Sequence, residues 1–147
     1  MMTDAHIQTT TIHIVECVPA HEPRESDPHY KVFNRTRDRL KAQGLLKCWI
    51  GNADCAGEIE LHHDKVEFSL QNGVDITLFE GAFPEFVGKT DDEFRDWIEG
   101  EGNLLPLCRL HHIGIQGVHV IPYPIWLPQK FWKAGMVAPA HQEVAEK

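Results

Sequence analysis

Residues 103–112, which read NLLPLCRLHH, decide the fold of this chain. Their apolar half predicts a short strand from Asn103 to Leu107, and the His- and Gly-rich residues 108–119 predict a turn or short helix after it. Upstream, residues 45–63 predict a loop or knuckle followed by a short strand that ends in the run GEIELHH. These pieces predict an α+β fold built on two short strands and helices.

Cysteine and histidine recur in short-spaced pairs beside these strands. The pairs are Cys48 with Cys55 and Cys108 with His111. In a reducing compartment disulfides are disfavoured, so clustered Cys and His predict metal ligands. Four N/S ligands in two pairs are typical of a closed, tetrahedral Zn²⁺ site. The alternative is that the three cysteines are small buried hydrophobic residues, and Cys17 is predicted to be a core residue or a free thiol.

Histidine also occurs twice as a doublet, at residues 62–63 and 111–112. Neighbouring residues of an extended strand point to opposite faces. One histidine of a doublet can therefore bind a metal while the other faces a substrate water. The alternative is that these histidines are exposed to solvent and have no such role.

The flanking residues predict further elements. Residues 8–18 are rich in β-branched side chains and predict a strand, and residues 29–44 predict a helix that ends at Gly44. Residues 65–83 fit either a hairpin at Asn72-Gly73 or two short helices, with Asp75 capping the second, and the helices are slightly favoured.

Downstream of these elements, Thr90 to Glu93 form a capping box that predicts a helix ending at Gly100. Pro124 or Pro128 is predicted to open a last helix through Trp132. Residues Val137 to Lys147 are predicted to be a loose tail.

Composition and charge limit the function classes. The length of 147 residues leaves room for one domain. The net charge of −8 disfavours a general nucleic-acid binder. The charge is uneven, because residues 31–47 are basic and residues 80–101 are acidic. No apolar run reaches the ~18 residues of a membrane span, and no secretory signal is recognisable, so the cytoplasm is the expected compartment.

Two segments together resemble a known enzyme family. Residues 60–65, ELHHDK, followed by residues 103–112, resemble the HNH (His-Asn-His, ββα-metal) endonucleases, and specifically their zinc-stapled branch. The resemblance covers about residues 45–120 and agrees in order, spacing and residue type. It implies a ββα-metal core at 45–120 with an insertion at about 65–101, an N-terminal strand and basic helix at 1–44, and a C-terminal helix and tail at 121–147.

The resemblance also implies roles for individual residues. His63 would be the general base and Asn103 would hold the loop of His63 in place. A divalent cation such as Mg²⁺, Mn²⁺, Ni²⁺ or Zn²⁺ would bind His62 and His112. A separate structural Zn²⁺ would bind Cys48, Cys55, Cys108 and His111.

This chain departs from the family pattern at two places. Where family members often carry a further cation-binding histidine, position 116 is Gln116, so either His119 or water completes the cation's shell. The acidic insertion is longer than in compact members and is interpreted as a regulatory flap, a protein-partner surface, or a fence against DNA.

The predicted activity is cation-dependent hydrolysis of phosphodiester bonds in double-stranded DNA. Candidate DNA contacts are Arg35, Arg39, Lys65 and Arg109. The alternative is a zinc-stapled binding module without catalysis, which the net charge favours. RNA or a specialised DNA structure is a further substrate class.

Overall fold

The computed structural model describes residues 2–6 and 8–136. Its helices and strands, in chain order, are α1 (Tyr30–Ala42), β1 (Ile59–His63), α2 (Ile76–Ala82), α3 (Asp91–Ile98), β2 (Leu104–Cys108), α4 (Arg109–His112) and α5 (Tyr123–Trp126). Short 3-10 turns lie at Arg24–Ser26, Phe68–Gly73, Pro84–Phe86 and Leu127–Phe131. The predicted α+β class is confirmed.

The two strands form one antiparallel sheet, and α4 follows β2 without a gap. Ile59 pairs with Cys108 at one end of the sheet, and His63 pairs with Leu104 at the other. The sheet therefore separates the cysteine-bearing end from the end that carries His63. Strand β2 confirms the strand expected at 103–107, displaced by one residue.

Helix α1 covers one side of this sheet. Its buried Leu40 packs with Leu61 of β1 and Leu104 of β2, and Phe33 and Leu46 close the cluster. The helix predicted over 29–44 is thus confirmed.

The N-terminal strand predicted at residues 8–18 is wrong. These residues are exposed and have no regular secondary structure. A β-branched run becomes a strand only when it finds an edge to pair with, and here β1 and β2 pair with each other instead.

The segment between the strands builds a small core of its own. Phe86, Phe94 and Ile98 are buried there and pack against Phe79 and Trp97. The preference for two short helices over a hairpin is confirmed, since a 3-10 turn and α2 occupy this region.

Both helix starts predicted within this segment are also confirmed. The side chain of Asp75 accepts hydrogen bonds from the backbone at the start of α2. Thr90 forms the predicted capping box with Glu93 at the start of α3. Capping therefore fixes where each helix of the inserted segment begins.

The C-terminal helix is shorter than predicted. Helix α5 begins with Pro124 in its first turn, and a 3-10 turn then ends at Phe131. Fully buried Trp126 anchors this region, because its Nε1 donates to the backbone oxygen of His111 at 2.8 Å. The predicted tail at 137–147 lies outside the described residues. Within the described ranges, none of the helices combines the length and apolarity that crossing a membrane requires.

Candidate functional site

Three cysteines and one histidine converge at the end of the sheet where α4 begins. The Nδ1 atom of His111 lies 3.2 Å from Sγ of Cys108, 3.7 Å from Sγ of Cys55 and 3.8 Å from Sγ of Cys48. The four donor atoms all lie within 4.8 Å of one another. This cluster could hold a metal ion such as zinc, as the spacing predicted.

Backbone hydrogen bonds tie the two halves of this cluster together. Cys48 and Cys55 belong to the loop before β1, whereas Cys108 ends β2 and His111 lies in α4. The amide of Leu110 donates to the oxygen of Ala56 at 3.1 Å, which holds the loop against the first turn of α4. A metal bound here would therefore staple the loop to the β2–α4 junction.

The electrostatics of the three thiols suit a metal. A hydrogen bond from Cys108 lowers the pKa of the Cys48 thiol, and the same contact raises the pKa of Cys108. Burial raises the pKa of Cys55. One thiolate is thus already favoured in the cluster, and thiolate is the form that binds a metal. Cys17 lies apart from them as an exposed free thiol, so the core alternative for it is wrong.

A second cluster consists of His62, His112 and His119. Their candidate donor atoms also lie within 4.8 Å of one another. The Nε2 atoms of His112 and His119 are 3.1 Å apart, and the ring of His62 lies 5.3 Å and 5.0 Å from their ring centroids. His62 is buried, and among the described residues its Nδ1 has no hydrogen-bond partner. Three converging imidazoles with an orphaned buried nitrogen fit a divalent cation.

A tight turn brings His119 into this cluster. The amide of His119 donates to the backbone oxygen of His112 at 3.1 Å. Gly117 makes that approach feasible, because a Cβ atom at this position would lie 2.3 Å from the same oxygen. Of the two alternatives left open by the sequence, His119 or water, the structure places His119 beside His112. Gln116 points elsewhere and donates to Gln129 at 2.8 Å.

A carboxylate that sequence reasoning missed orients His112. The Nδ1 atom of His112 donates to Oε1 of Glu60 at 2.9 Å, while Nη1 of Arg109 lies 3.1 Å from Oε2. A metal-binding histidine commonly gives its other ring N–H to a carboxylate in this way. The available signal was strand periodicity, which puts Glu60 and His62 on one face of β1.

The surroundings of two histidines of this cluster favour neutral imidazole, the form that binds cations. Burial, followed by the neighbouring His119 and His112 rings, lowers the pKa of His62 to about 3. Burial also lowers the pKa of His119. A metal ligand must be neutral imidazole, so this environment removes the competing protons.

An open cleft of about 360 Å³ lies beside the histidine cluster. His62, His63 and His119 line it, together with Lys65 and Glu67. Oε1 of Glu67 is 3.6 Å from Nε2 of His119. The cleft thus brings the predicted base, two predicted cation ligands and two acidic residues, Asp64 and Glu67, to a single surface.

Asn103 fixes the chain just after His63. Its Oδ1 accepts from the amides of Lys65 at 2.9 Å and Val66 at 3.1 Å. Its Nδ2 donates to the backbone oxygens of Val66 at 2.9 Å and Ile98 at 3.0 Å. Three of the four hydrogen bonds of this buried amide go to the segment after His63, which the sequence expected it to hold, and the fourth goes to α3.

His63 itself contacts groups from outside the sheet. Its Nε2 is hydrogen-bonded to Oε1 of Glu99, and its ring stacks on Phe33 with centroids 6.1 Å apart. Sequence reasoning missed Glu99, which lies in the acidic segment and looked like one more surface charge.

The four candidate nucleic-acid contacts are spread over the molecule. Lys65 lines the cleft. Arg109 pairs with Glu60, which in turn contacts His112 of the histidine cluster. Arg39 pairs with Glu101 of the acidic segment, so its charge is partly neutralised. Arg35 is exposed and forms no ion pair within the described ranges.

Comparisons with known proteins found no matching family model, no matching curated protein and no matching solved structure. The case for a function therefore rests on the geometry of these clusters and on the resemblance of the sequence motifs.

Proposed function

We propose that the protein is a metal-dependent HNH endonuclease that hydrolyses phosphodiester bonds in DNA. The observation that carries the proposal is the meeting of His62, His112 and His119 beside His63, next to a loop held by Asn103. The order β1, β2, α4 also agrees with a ββα unit.

The chemistry divides between the two clusters. His62, His112 and His119 would hold a divalent cation, which would supply positive charge to offset the charge developing on the phosphate and on the leaving 3′ oxygen. The cysteine cluster would hold a separate zinc that stabilises a small core.

His63 would act as the general base. As neutral imidazole it accepts a proton from the attacking water, and histidine suits this task near neutral pH. Since Nε2 is engaged by Glu99, the proton would be taken at Nδ1. Asn103 would keep the segment after His63 in place during the reaction.

DNA would be bound through phosphate contacts. Lys65 lines the cleft and is the first candidate for a phosphate contact. Arg109 is the second, because it pairs with Glu60, the carboxylate that contacts His112. Arg35 and Arg39 on α1 would extend the contact along the duplex.

A second candidate function is a zinc-stapled binding module without catalysis. The observation that favours it is the pairing of Arg39, Lys65 and Arg109 with carboxylates, in a chain of net charge −8. In that case the acidic segment at 80–101 would contact a protein partner.

Plasmid cleavage distinguishes the two candidates. Zinc-loaded wild type should relax or cut supercoiled DNA when Mg²⁺, Mn²⁺ or Ni²⁺ is added, and His63→Ala should lose activity by about 10²-fold or more. The matched control is His13→Ala, which removes an exposed histidine. If His63→Ala cuts as fast as wild type, the nuclease proposal fails, and a wild type silent on DNA and RNA with every cation supports the binding module.

A further inference from the structure

A buried carboxylate outside both metal clusters contacts the predicted base. Glu99 follows the last turn of α3, and only 1% of its surface is exposed. One carboxylate oxygen bonds to Nε2 of His63, and the other lies 3.3 Å from Nη2 of Arg24. Arg24, Glu99 and His63 thus form a continuous chain of contacts that crosses three separate parts of the sequence.

Residues of α1 contact the backbone of Glu99 and the side chain of its partner Arg24. The hydroxyl of Thr36, on α1, donates to the backbone oxygen of Glu99 at 2.9 Å. The guanidinium of Arg24 lies 4.1 Å from the ring centroid of Phe33. A charge buried to this degree is costly unless it is paired, so the contacts from Arg24 and His63 account for its presence.

The carboxylate also determines which nitrogen of His63 carries the proton. A carboxylate accepts hydrogen bonds, so Nε2 is the donor, and the lone pair of neutral His63 must be on Nδ1. In the part of the chain that the structure describes, Nδ1 has no hydrogen-bond partner, whereas Phe33 covers a face of the ring. Nδ1 is therefore the nitrogen left for a water in the cleft.

We propose that Glu99 is a positioning residue that fixes the Nε2–H tautomer and the orientation of His63, with Arg24 as its counterion. This inference rests on the proposed function, in which His63 is the base. It gives the acidic insertion a role in the site, because Glu99, near the end of that insertion, is hydrogen-bonded to His63. The N-terminal segment contributes as well, through Arg24.

The test combines nitrogen NMR with kinetics. In ¹⁵N-labelled, zinc-loaded wild type at mildly alkaline pH, His63 should appear as one tautomer, protonated at Nε2. The Glu99→Gln variant should show a mixture or the other tautomer. It should also lower kcat for plasmid cleavage by about 10²-fold while KM changes by less than about 3-fold.

The matched control is Glu101→Gln. It removes the same charge two residues away, from a side chain that is 48% exposed and paired with Arg39. This variant should leave the His63 tautomer unchanged. Thermal unfolding of each variant separates a loss of positioning from a loss of folding.

Each outcome bears on the proposal. A wild-type His63 protonated at Nδ1 overturns it without any variant, and so does a folded Glu99→Gln protein with wild-type kcat. If wild type cuts no nucleic acid, the proposed function fails, whereas the tautomer of His63 still tests the role of Glu99 by itself.

Discussion

The Nδ1 atom of His112 donates to the carboxylate of Glu60 at 2.9 Å, and this contact turns Nε2 of His112 toward Nε2 of His119. The same carboxylate also receives Arg109. Glu60 thus orients the candidate ligand His112 without being part of the histidine cluster itself. Since the Nε2 atoms of His112 and His119 face each other, the rings of the histidine cluster are arranged so that they could hold a metal ion.

Glu60→Gln should therefore weaken cation binding at the histidine cluster. We expect the dissociation constant for Ni²⁺ or Mn²⁺ to rise by about 10–100-fold, because the amide is a weaker acceptor for His112. Isothermal titration of protein already loaded with zinc at the cysteines measures this. The control is Glu58→Gln, an exposed carboxylate two residues earlier. Equal affinity in both variants would contradict a role for Glu60 in orienting His112.

The cysteine cluster should hold one zinc per chain. Cys108→Ser replaces a buried sulfur donor, so elemental analysis should find the zinc lost after dialysis. Because metal binding is coupled to folding, the unfolding temperature should fall by roughly 10 °C. Cys17→Ser, which changes an exposed thiol outside the cluster, should keep both zinc and stability. Wild-type protein that purifies without any metal would contradict the prediction that the cysteine cluster holds a zinc ion.

Asn103 should contribute to stability as well as to activity. Asn103→Ala leaves part-buried backbone groups of Lys65 and Val66 and the buried oxygen of Ile98 without partners, which costs about 3 kcal/mol. Urea unfolding of the zinc-loaded variant measures the loss. Asn34→Ala, at an exposed position of α1, should change stability by less than about 0.5 kcal/mol. If the two variants are equally stable, Asn103 does not hold the segment after His63.

The sequence predicted local features of this molecule well. Caps such as Asp75 and Thr90 act within a few residues, so they are visible in the sequence. Ligand spacing is also local within each half, which is why Cys48 with Cys55 and Cys108 with His111 could be grouped. What the sequence could not supply was tertiary pairing. The β-branched residues 8–18 lack a partner edge, and no local signal reports that.

Sequence reasoning missed the carboxylates of Glu99 and Glu60 because their partners are distant in the sequence. Glu99 is separated from His63 by 36 positions and from Arg24 by 75. In the sequence it is one of many acids between 80 and 101, and its burial comes from tertiary contacts with Thr36, Arg24 and His63. Glu60 was closer to detection, because it shares a strand face with His62.

The two arginines of α1 should contribute unequally to DNA binding. Arg39 is already paired with Glu101, whereas Arg35 is exposed and unpaired within the described residues. Removing a free cation costs a phosphate contact, but removing a neutralised one costs less. Arg35→Ala should therefore weaken binding more than Arg39→Ala and reduce the salt-dependence slope by about 1.

Fluorescence anisotropy with a DNA duplex at several salt concentrations measures both effects. Adding Ca²⁺, which should not support cutting, keeps the substrate intact during the titration. If neither variant changes the slope, α1 lies away from the duplex, and DNA then contacts the protein through the cleft beside Lys65. Lys65→Ala would in that case produce a larger loss than either α1 variant, because Lys65 lines the cleft with His62 and His63, although its ammonium group also lies 3.6 Å from Oδ2 of Asp64.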